Sequence, residues 1–256
     1  MNASNRAGGI LAIASGKGGV GKTWLAITLA HAWARAGCSV LLCDGDLGLA
    51  NIDVQLGVAP PGDLAGILAG RLTFEAAVMQ HPAGFSLLSG SSGSGSLSAL
   101  PPKALGELLR GLRALAPCYD RVVVDLGAGL DLPLRQMAVF ADRLLVVATD
   151  EPTSLTDAYA VLKLYASDRR HGPAADESRS EPRVIVNQAS SALDGRRTYQ
   201  TLSKACEKFL GLSPKLAGVV RRDEHVRAAI RRQMPLLDHA PACPAARDVV
   251  ALLPGL

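Results

Sequence analysis

A glycine-rich loop between an apolar run and a helical segment is the feature that most restricts the possible folds of this chain. The run covers Ile10–Ala14, the loop covers Gly16–Thr23, and the helical pattern covers Lys22–Arg35. The loop matches G-x-x-x-x-G-K-[ST], in which backbone amides turn inward around a phosphate group and a helix N-terminus adds partial positive charge. Lys22 is then expected to reach the β- and γ-phosphates of a nucleotide, and Thr23 to bind Mg²⁺. The structural alternative is a glycine-rich turn with an incidental lysine.

Short apolar runs alternate with helical segments along the rest of the chain. Unbroken apolar runs are typical of strands that helices cover on both faces. The sequence therefore predicts an α/β fold with a doubly wound, mainly parallel sheet and helices on both faces. The predicted strands are Ile10–Ala14, Val40–Cys43, Phe85–Leu88, Val122–Val124, Leu144–Ala148, Val184–Val186 and Leu216–Val220. The predicted helices are Lys22–Arg35, Lys103–Leu115, Leu134–Phe140, Leu155–Ala166, Thr201–Leu210 and Ala245–Leu253.

A single domain is expected over residues 1–256, with a short N-terminal extension at residues 1–9. The 256 residues are 48% hydrophobic and 20% charged, which suits one well-buried globular domain rather than a disordered chain. Two segments interrupt the alternation: a Gly/Ser loop at Ser89–Ser96 and a polar, Pro-containing insertion at His171–Glu181. Neither is long enough to separate two domains.

Charge, cysteine content and hydropathy indicate the cellular setting. The net charge of +4 permits contact with nucleic acid or anionic lipid without requiring it. The five cysteines form no C-x-x-C pair, so we expect a reducing cytosol with neither a disulfide framework nor a zinc site. The five histidines show no ligand spacing and receive no role. No window approaches the roughly 18 apolar residues of a membrane-spanning helix, which predicts a soluble, cytoplasmic protein.

Three aspartates are expected near the phosphate loop. Asp44 and Asp46 end the second predicted strand at positions i and i+2, so both side chains can project the same way. Asp125 ends the apolar run Val122–Val124, an arrangement in which the carboxylate holds Mg²⁺ or its water shell. A lone aspartate at a strand end is more often a turn former or a helix cap. Three aspartates that converge on one phosphate loop favour the metal site.

Three segments of the sequence resemble the MinD/ParA family of deviant Walker A ATPases, which implies a P-loop NTPase fold of the SIMIBI type. These segments are GKGGVGKT at 16–23, DGDLGLANID at 44–53 and VVVDLGAGL at 122–130. Within that family, segments 46–51 and 151–159 are similar to the flagellar number regulator branch, FlhG/FleN. The resemblance extends from about Gly9 to Leu253.

The resemblance implies a role for each matching residue. Lys17 looks like the family's signature lysine, which crosses a face-to-face dimer interface to the partner's nucleotide; a solvated loop lysine is the alternative. Asp46 is similar to the switch I aspartate that orients the attacking water. The implied catalytic residues are Lys17, Lys22 and Asp46, and the implied metal ligands are Thr23, Asp44 and Asp125. The implied nucleotide-binding residues are Gly16, Lys17, Gly18, Gly19, Val20, Gly21, Lys22 and Thr23, with Asn187 and Asp223 at the adenine.

The resemblance also implies an activity and its partners. The expected reaction is slow, partner-stimulated hydrolysis of ATP to ADP and phosphate, with Mg²⁺ as cofactor. The expected assembly is an ATP-dependent homodimer that regulates flagellar number or placement through a flagellar GTPase or a transcription regulator. Such partners would place it at a cell pole or at the periphery of the inner membrane. The alternatives are a ParA-type DNA-partitioning or cargo-positioning ATPase, and a biosynthetic P-loop enzyme of the dethiobiotin or cobyrinate type.

The sequence departs from the family pattern in several places. Leu126 stands where a small or hydroxylated residue commonly follows the Walker B acid, and Arg221-Arg222 replace a Pro-containing turn. MinD-like relatives end in a basic amphipathic helix that lies on membranes. Here Ala245–Leu253 has the pattern of a core helix, so membrane association is expected to be weak or absent. Arginine pairs at 169–170, 196–197, 221–222 and 231–232 indicate solvated helix ends and loops, with a DNA-binding patch as the alternative.

Overall fold

The strands form one sheet in the computed structural model, which describes residues 9–46, 48–90, 100–171 and 181–256. The strands are β1 (Gly9–Ser15), β2 (Val40–Gly45), β3 (Met79–Gln80), β4 (Ser86–Leu88), β5 (Arg121–Ala128), β6 (Arg143–Ala148), β7 (Arg183–Ala189) and β8 (Lys215–Arg221). Their order across the sheet is β3-β4-β2-β5-β1-β6-β7-β8. Each neighbouring pair is parallel except β3 and β4. This sheet confirms the predicted fold class.

The helices connect the strands as parallel crossovers require. Five longer ones are α1 (Lys22–Arg35), α5 (Pro102–Leu115), α6 (Leu132–Phe140), α7 (Pro152–His171) and α8 (Ala192–Leu210). The shorter ones are α2 (Ile52–Leu56), α3 (Leu64–Leu68), α4 (Phe74–Ala77), α9 (Glu224–Arg231), α10 (Leu236–His239) and α11 (Pro244–Val250). None of the described helices has both the length and the hydrophobicity needed to cross a lipid bilayer.

Two hydrophobic cores lie on opposite faces of the sheet. In β1, Ile10 and Ala12 pack in the core that α5, α6, α7 and α8 cover, whereas Leu11 and Ile13 pack in the core that α1, α10 and α11 cover. Side chains of a strand alternate between the two faces, so a strand buried on both sides is apolar at every position. This double burial explains the unbroken apolar runs.

Several element boundaries differ from the predictions. The edge strand β3 was not predicted, because two residues give no readable periodicity. The last predicted helix, Ala245–Leu253, is shorter at its C-terminal end, where α11 stops at Val250. Helices α7 and α8 extend well beyond their predicted bounds. The polar residues in their outer turns had concealed the helical pattern.

Some predicted segments lie outside the described residues. These are residues 1–8 of the N-terminal extension, residues 91–96 of the Gly/Ser loop and residues 172–180 of the polar insertion. Gly9, assigned to the extension, is instead the first residue of β1.

Candidate functional site

The phosphate loop joins β1 to α1 through two glycines in the left-handed conformation. Gly19 has a φ of 80° and Gly21 has a φ of 90°, a region that residues with a side chain rarely adopt. A Cβ at Gly21 would lie 2.4 Å from Trp24 Nε1 and 2.5 Å from Asn187 Nδ2. Glycine is therefore required at position 21 both by the backbone torsion and by the groups packed against it.

Lys22, the first residue of α1, is largely buried. Its Nζ donates a hydrogen bond to Ser15 Oγ at 2.8 Å, and Ser15 Oγ donates to the carbonyl of Lys17 at 2.7 Å. Burial lowers the pKa of Lys22, and the carboxylates of Asp125 and Asp46 oppose that shift. The ammonium group is thus held in position by the strand and loop that precede it.

Asp44 and Asp125 are register partners on the neighbouring strands β2 and β5, and both are buried. The Asp44 carboxylate accepts hydrogen bonds from the backbone amides of Asp46 at 3.0 Å, Asn51 at 3.0 Å and Ile52 at 3.1 Å. Burial raises the pKa of Asp44 to about 6, although these amides oppose the shift. Asp44 therefore fixes the segment that leads from β2 into α2.

Asp125 lies inside β5 rather than at its end, because that strand continues to Ala128. One carboxylate oxygen, Oδ1, is buried without a hydrogen-bond partner among the described residues, and the carboxylate is hydrogen-bonded to the Thr23 side chain. Burial, followed by the charge of Asp44, raises the pKa of Asp125 to about 7. Mg²⁺ prefers carboxylate and other oxygen ligands. An unpartnered carboxylate oxygen beside a threonine hydroxyl therefore fits a magnesium ion.

Asp46 lies between the segment after β2 and the end of β5. Its Oδ1 accepts hydrogen bonds from the amides of Gly48 at 3.2 Å and Leu49 at 2.9 Å. Its Oδ2 is so close to Gly127 that a Cβ at Gly127 would lie 3.2 Å away. The side chain is therefore held by the segment that follows β2 and packed against the end of β5.

Asn187 lies on β7, and Asp223 lies just after β8. In the order of the sheet, both strands are on the opposite side of β1 from β2 and β5, which carry Asp44 and Asp125. Asn187 Nδ2 donates to the carbonyl of Val20 at 2.8 Å, while its buried Oδ1 has no hydrogen-bond partner in the described ranges. Asp223 accepts from the amides of His225 at 3.0 Å and Ala245 at 3.1 Å. Burial opposes ionisation of Asp223, but these hydrogen bonds, together with those to the side chains of His225 and Cys243, outweigh it and lower the pKa to about 2. Asn187 thus lines the cleft and keeps a buried acceptor without a partner, while Asp223 positions α9 and α11.

Lys17 contacts the beginning of α7 instead of the cleft. Its Nζ forms a salt bridge with Glu151 Oε2 at 2.5 Å and a hydrogen bond with Thr153 Oγ1 at 3.1 Å. The two charged side chains are 38% and 59% exposed. The adjacent Gly16 packs so closely on α7 that a Cβ would lie 2.6 Å from the Asp157 carbonyl oxygen. The start of the phosphate loop therefore packs directly against α7.

Most of the predicted site residues line one cleft, which has a volume of about 510 Å³. This volume is within the usual range for small-molecule sites, about 300–1,000 Å³. The predicted residues that line it are Gly18, Gly19, Gly21, Lys22, Thr23, Asp44, Asp46, Asp125, Asn187 and Asp223. Gly16, Lys17 and Val20 are not among the lining residues, and the Val20 side chain packs in the core.

Some residues of the site were not predicted from the sequence. Glu151 and Ser15 contact the two loop lysines, and Gln188 and Arg227 line the cleft. Ser15 directly precedes the loop, so its position in the sequence could have predicted that it belongs to the site. Arg227 lies on α9, a helix of eight residues that was not predicted, so nothing in the sequence placed it at the cleft.

Comparison with known proteins identifies the family. Residues 11–236 match the CobQ/CobB/MinD/ParA nucleotide binding domain. The chain is 36% identical over 232 residues to the antiactivator FleN of Pseudomonas aeruginosa, covering 91% of this chain and 80% of FleN. It is 28% identical over 232 residues to the flagellum site-determining protein YlxH of Helicobacter pylori, covering 90% and 76%. The cell division ATPase MinD of Pyrococcus furiosus has a TM-score of 0.74 at 25% identity, covering 96% of both chains.

These matches confirm the resemblance to the family and to its flagellar branch. The sequence match extends across the phosphate loop, the three aspartates and Asn187. The structural match covers the fold around them. The chain therefore belongs to the CobQ/CobB/MinD/ParA family of nucleotide-binding domains.

Proposed function

We propose that this chain, acting as a single domain, is an ATP-dependent, dimerising switch ATPase that regulates flagellar number or placement through partner proteins. The observation that carries the proposal is the different placement of two lysines from one loop. Lys22 lines the cleft, whereas Lys17 reaches out to Glu151. A phosphate loop needs only one lysine for its own nucleotide. The second lysine is therefore available to a nucleotide bound by another copy of the chain.

The proposed nucleotide site uses the groups already held around the cleft. The loop amides and Lys22 would bind the phosphate groups of ATP, and Thr23 and Asp125 would hold Mg²⁺. Bound Mg²⁺ would neutralise charge that develops on the phosphate oxygens. Asp44 would contribute through the water shell of the metal, because backbone amides already occupy its carboxylate. Asn187 Oδ1 would accept a hydrogen bond from the adenine amino group, and Asp223 would shape the base pocket.

The proposed reaction is the transfer of the γ-phosphoryl group to water. A water oxygen oriented by Asp46 attacks the γ-phosphorus, the bond to the β–γ bridging oxygen breaks, and ADP and phosphate form. Phosphoryl transfer depends mainly on positioned charge. Lys17 supplies part of that charge only from a second copy of the chain. In the absence of any partner protein, hydrolysis should therefore be slow and should depend on dimerisation. A partner protein would stimulate it further.

The flagellar role rests on the relatives. FleN is named as an antiactivator and YlxH as a flagellum site-determining protein, and their matches cover 91% and 90% of this chain. We propose a flagellar GTPase or a transcription regulator as the partner of the ATP-bound dimer. Association with the membrane would then be indirect, with a cytoplasmic protein recruited to a pole or to the inner membrane by its partners.

The test is size-exclusion chromatography with light scattering of an Asp46→Ala variant in Mg²⁺ and ATP. The variant should form a dimer in ATP and a monomer in ADP. A further Lys17→Ala change should abolish the dimer and leave nucleotide binding by the monomer largely intact. Lys22→Ala is the matched control, since it should weaken nucleotide binding itself. A dimer that survives Lys17→Ala, or a single-turnover rate independent of protein concentration, would contradict the proposal.

DNA partitioning of the ParA type is less well supported. The arginine pairs lie on separate elements, at the end of α7, the start of α8, the end of β8 and the end of α9. Arg221 is also engaged by Asp248 through two hydrogen bonds of 2.8 Å. Binding of random DNA in the ATP state, with a steep dependence on salt, would favour this alternative. Its absence would favour the flagellar role.

A further inference from the structure

Three potential metal ligands from the starts of α9 and α11 meet beside the base end of the cleft. Asp223 directly precedes α9, His225 is the second residue of that helix, and Cys243 directly precedes α11. One ligand atom from each of the three side chains lies within 4.8 Å of the other two. The Nδ1 atom of His225 is 2.8 Å from Asp223 Oδ1. From this geometry we infer that Asp223, His225 and Cys243 form a binding site for a divalent transition metal ion of the zinc class.

The chemistry of the three donors selects the ion. A thiolate sulfur, an imidazole nitrogen and a carboxylate oxygen are the donor types that Zn²⁺ binds in tetrahedral sites. A sulfur donor disfavours Mg²⁺ and Ca²⁺, which take oxygen ligands. With a carboxylate and a thiolate as ligands, two negative charges would balance the charge of the ion. Binding would release the proton of the thiol to solvent.

The ligand side chains are held in position by neighbouring groups. The Asp223 carboxylate accepts hydrogen bonds from the amides of His225 at 3.0 Å and Ala245 at 3.1 Å. Cys243 Sγ accepts one from the amide of Ala246 at 3.4 Å. Hydrogen bonds of this kind orient metal ligands and strengthen binding. The Asp223 side chain is 5% exposed and that of His225 is 57% exposed, so an ion could enter from the histidine side.

A fourth donor lies close by. His239, the last residue of α10, has its ring centroid 6.2 Å from that of His225. His239 is not one of the three clustered residues, so its side chain would have to move to join them, and a water molecule would otherwise complete the coordination. The four residues occur as D-x-H and H-x-x-x-C, two short-spaced pairs with thirteen residues between them. Neither a C-x-x-C pair nor a regular spacing of the histidines marks this arrangement, so no zinc site was expected from the sequence.

The position of the site suggests what the ion does. Asp223 lines the nucleotide cleft together with Val226 and Arg227 of α9. An ion bound to Asp223, His225 and Cys243 would tie the end of β8 to the starts of α9 and α11. It would thereby brace the wall of the cleft next to the base without taking part in phosphoryl transfer.

Cobalt(II) is the probe, because a Co²⁺–thiolate bond gives a charge-transfer band in the near ultraviolet. The full chain, reduced and freed of metal with EDTA, is titrated with Co²⁺ in the absence of nucleotide. We expect the band to saturate at one equivalent and to be displaced by Zn²⁺. Cys243→Ser should abolish it, since serine keeps an acceptor for the Ala246 amide but supplies no sulfur. His225→Gln should reduce Co²⁺ affinity at least about tenfold.

Two free cysteines provide the matched control. Cys38 is partly exposed and Cys118 is exposed, so Cys38→Ser and Cys118→Ser should leave the band unchanged. Zn²⁺ at saturating concentration should also raise the melting temperature of the wild-type chain by roughly 5 °C, and that of Cys243→Ser by much less. Absence of the band, or a band that persists in Cys243→Ser, would overturn the inference. Neither result depends on ATP binding or on dimerisation.

Discussion

Lys17 Nζ and Glu151 Oε2 form a salt bridge of 2.5 Å within a single chain. Because both side chains are exposed by more than a third, solvent screens the pair and its contribution to the free energy of unfolding is small. Glu151→Gln should therefore unfold at nearly the same urea concentration as the wild type. A lysine held this weakly can leave Glu151 for another anion at little cost.

The Arg135–Asp168 pair is the control for this prediction. Its side chains are 29% and 24% exposed, and both guanidinium contacts are short. Arg135→Gln should therefore cost more than Glu151→Gln, on the order of 1–3 kcal/mol. A urea midpoint that falls as far in Glu151→Gln as in Arg135→Gln would show that the contact between Lys17 and Glu151 is needed for folding and is not easily released.

The second prediction concerns the glycine that opens α1. Gly21 and Gly37 have almost the same positive torsion, φ of 90° and 87°, but only a Cβ at Gly21 would meet neighbouring groups. Gly37→Ala should cost about 1 kcal/mol, the usual effect of a side chain at positive φ. Gly21→Ala should cost roughly 2–4 kcal/mol and reduce ATP affinity, because Trp24 and Asn187 must move. Urea unfolding and ATP titration measure both, and equal losses in the two variants would contradict the packing argument.

The third prediction follows from the buried carboxyl of Asp125. Its pKa is raised to about 7 in the folded chain, whereas an unfolded chain has an aspartate pKa of about 3.9. The folded state therefore binds this proton more tightly, and its stability falls as pH rises from about 4 to about 7. Asp125→Asn removes the titration. Relative to the wild type, its free energy of unfolding should increase by roughly 2–3 kcal/mol between pH 5 and pH 8.

This measurement uses urea unfolding without nucleotide and with EDTA, so that no bound cation offsets the charge. The variant is compared with the wild type at each pH, because other titrating groups such as the buried His31 change the stability of both proteins. If the difference in the free energy of unfolding between the two proteins does not change with pH, the pKa of Asp125 is not raised in the folded chain.

The fourth prediction concerns the hydrogen bond from Asn187 Nδ2 to the Val20 carbonyl, which is buried. Asn187→Ala leaves that carbonyl without its partner, so it should lower the free energy of unfolding by about 1–3 kcal/mol and weaken ATP binding. Gln188→Ala is the control, since Gln188 Nε2 makes an exposed bond to the next loop carbonyl, at Gly19. The control should cost less than about 1 kcal/mol. Equal effects would indicate that burial of the Asn187 bond does not matter.

The sequence predicted the sheet and the phosphate loop well, because each leaves a local signal. Helix α1 has the predicted bounds, Lys22–Arg35, since the loop marks its start and Gly37 follows its end. The converging aspartates could be predicted because parallel strands bring their carboxyl ends to one edge.

Contacts between distant segments could not be predicted from the sequence. Glu151 and Lys17 are separated by 134 residues, and no local pattern pairs them. The cluster of Asp223, His225 and Cys243 likewise depends on how β8, α9 and α11 meet. Nor could the sequence show that β5 continues past Asp125, since glycines after the acid are typical of a turn. Tertiary pairing with β1 extends that strand.

The contact between Gly16 and Asp157 leaves no room for even a methyl group. The first turn of the phosphate loop is therefore packed directly against helix α7 at this point. A displacement of α7 toward the loop at Asp157 would have to move Gly16 as well.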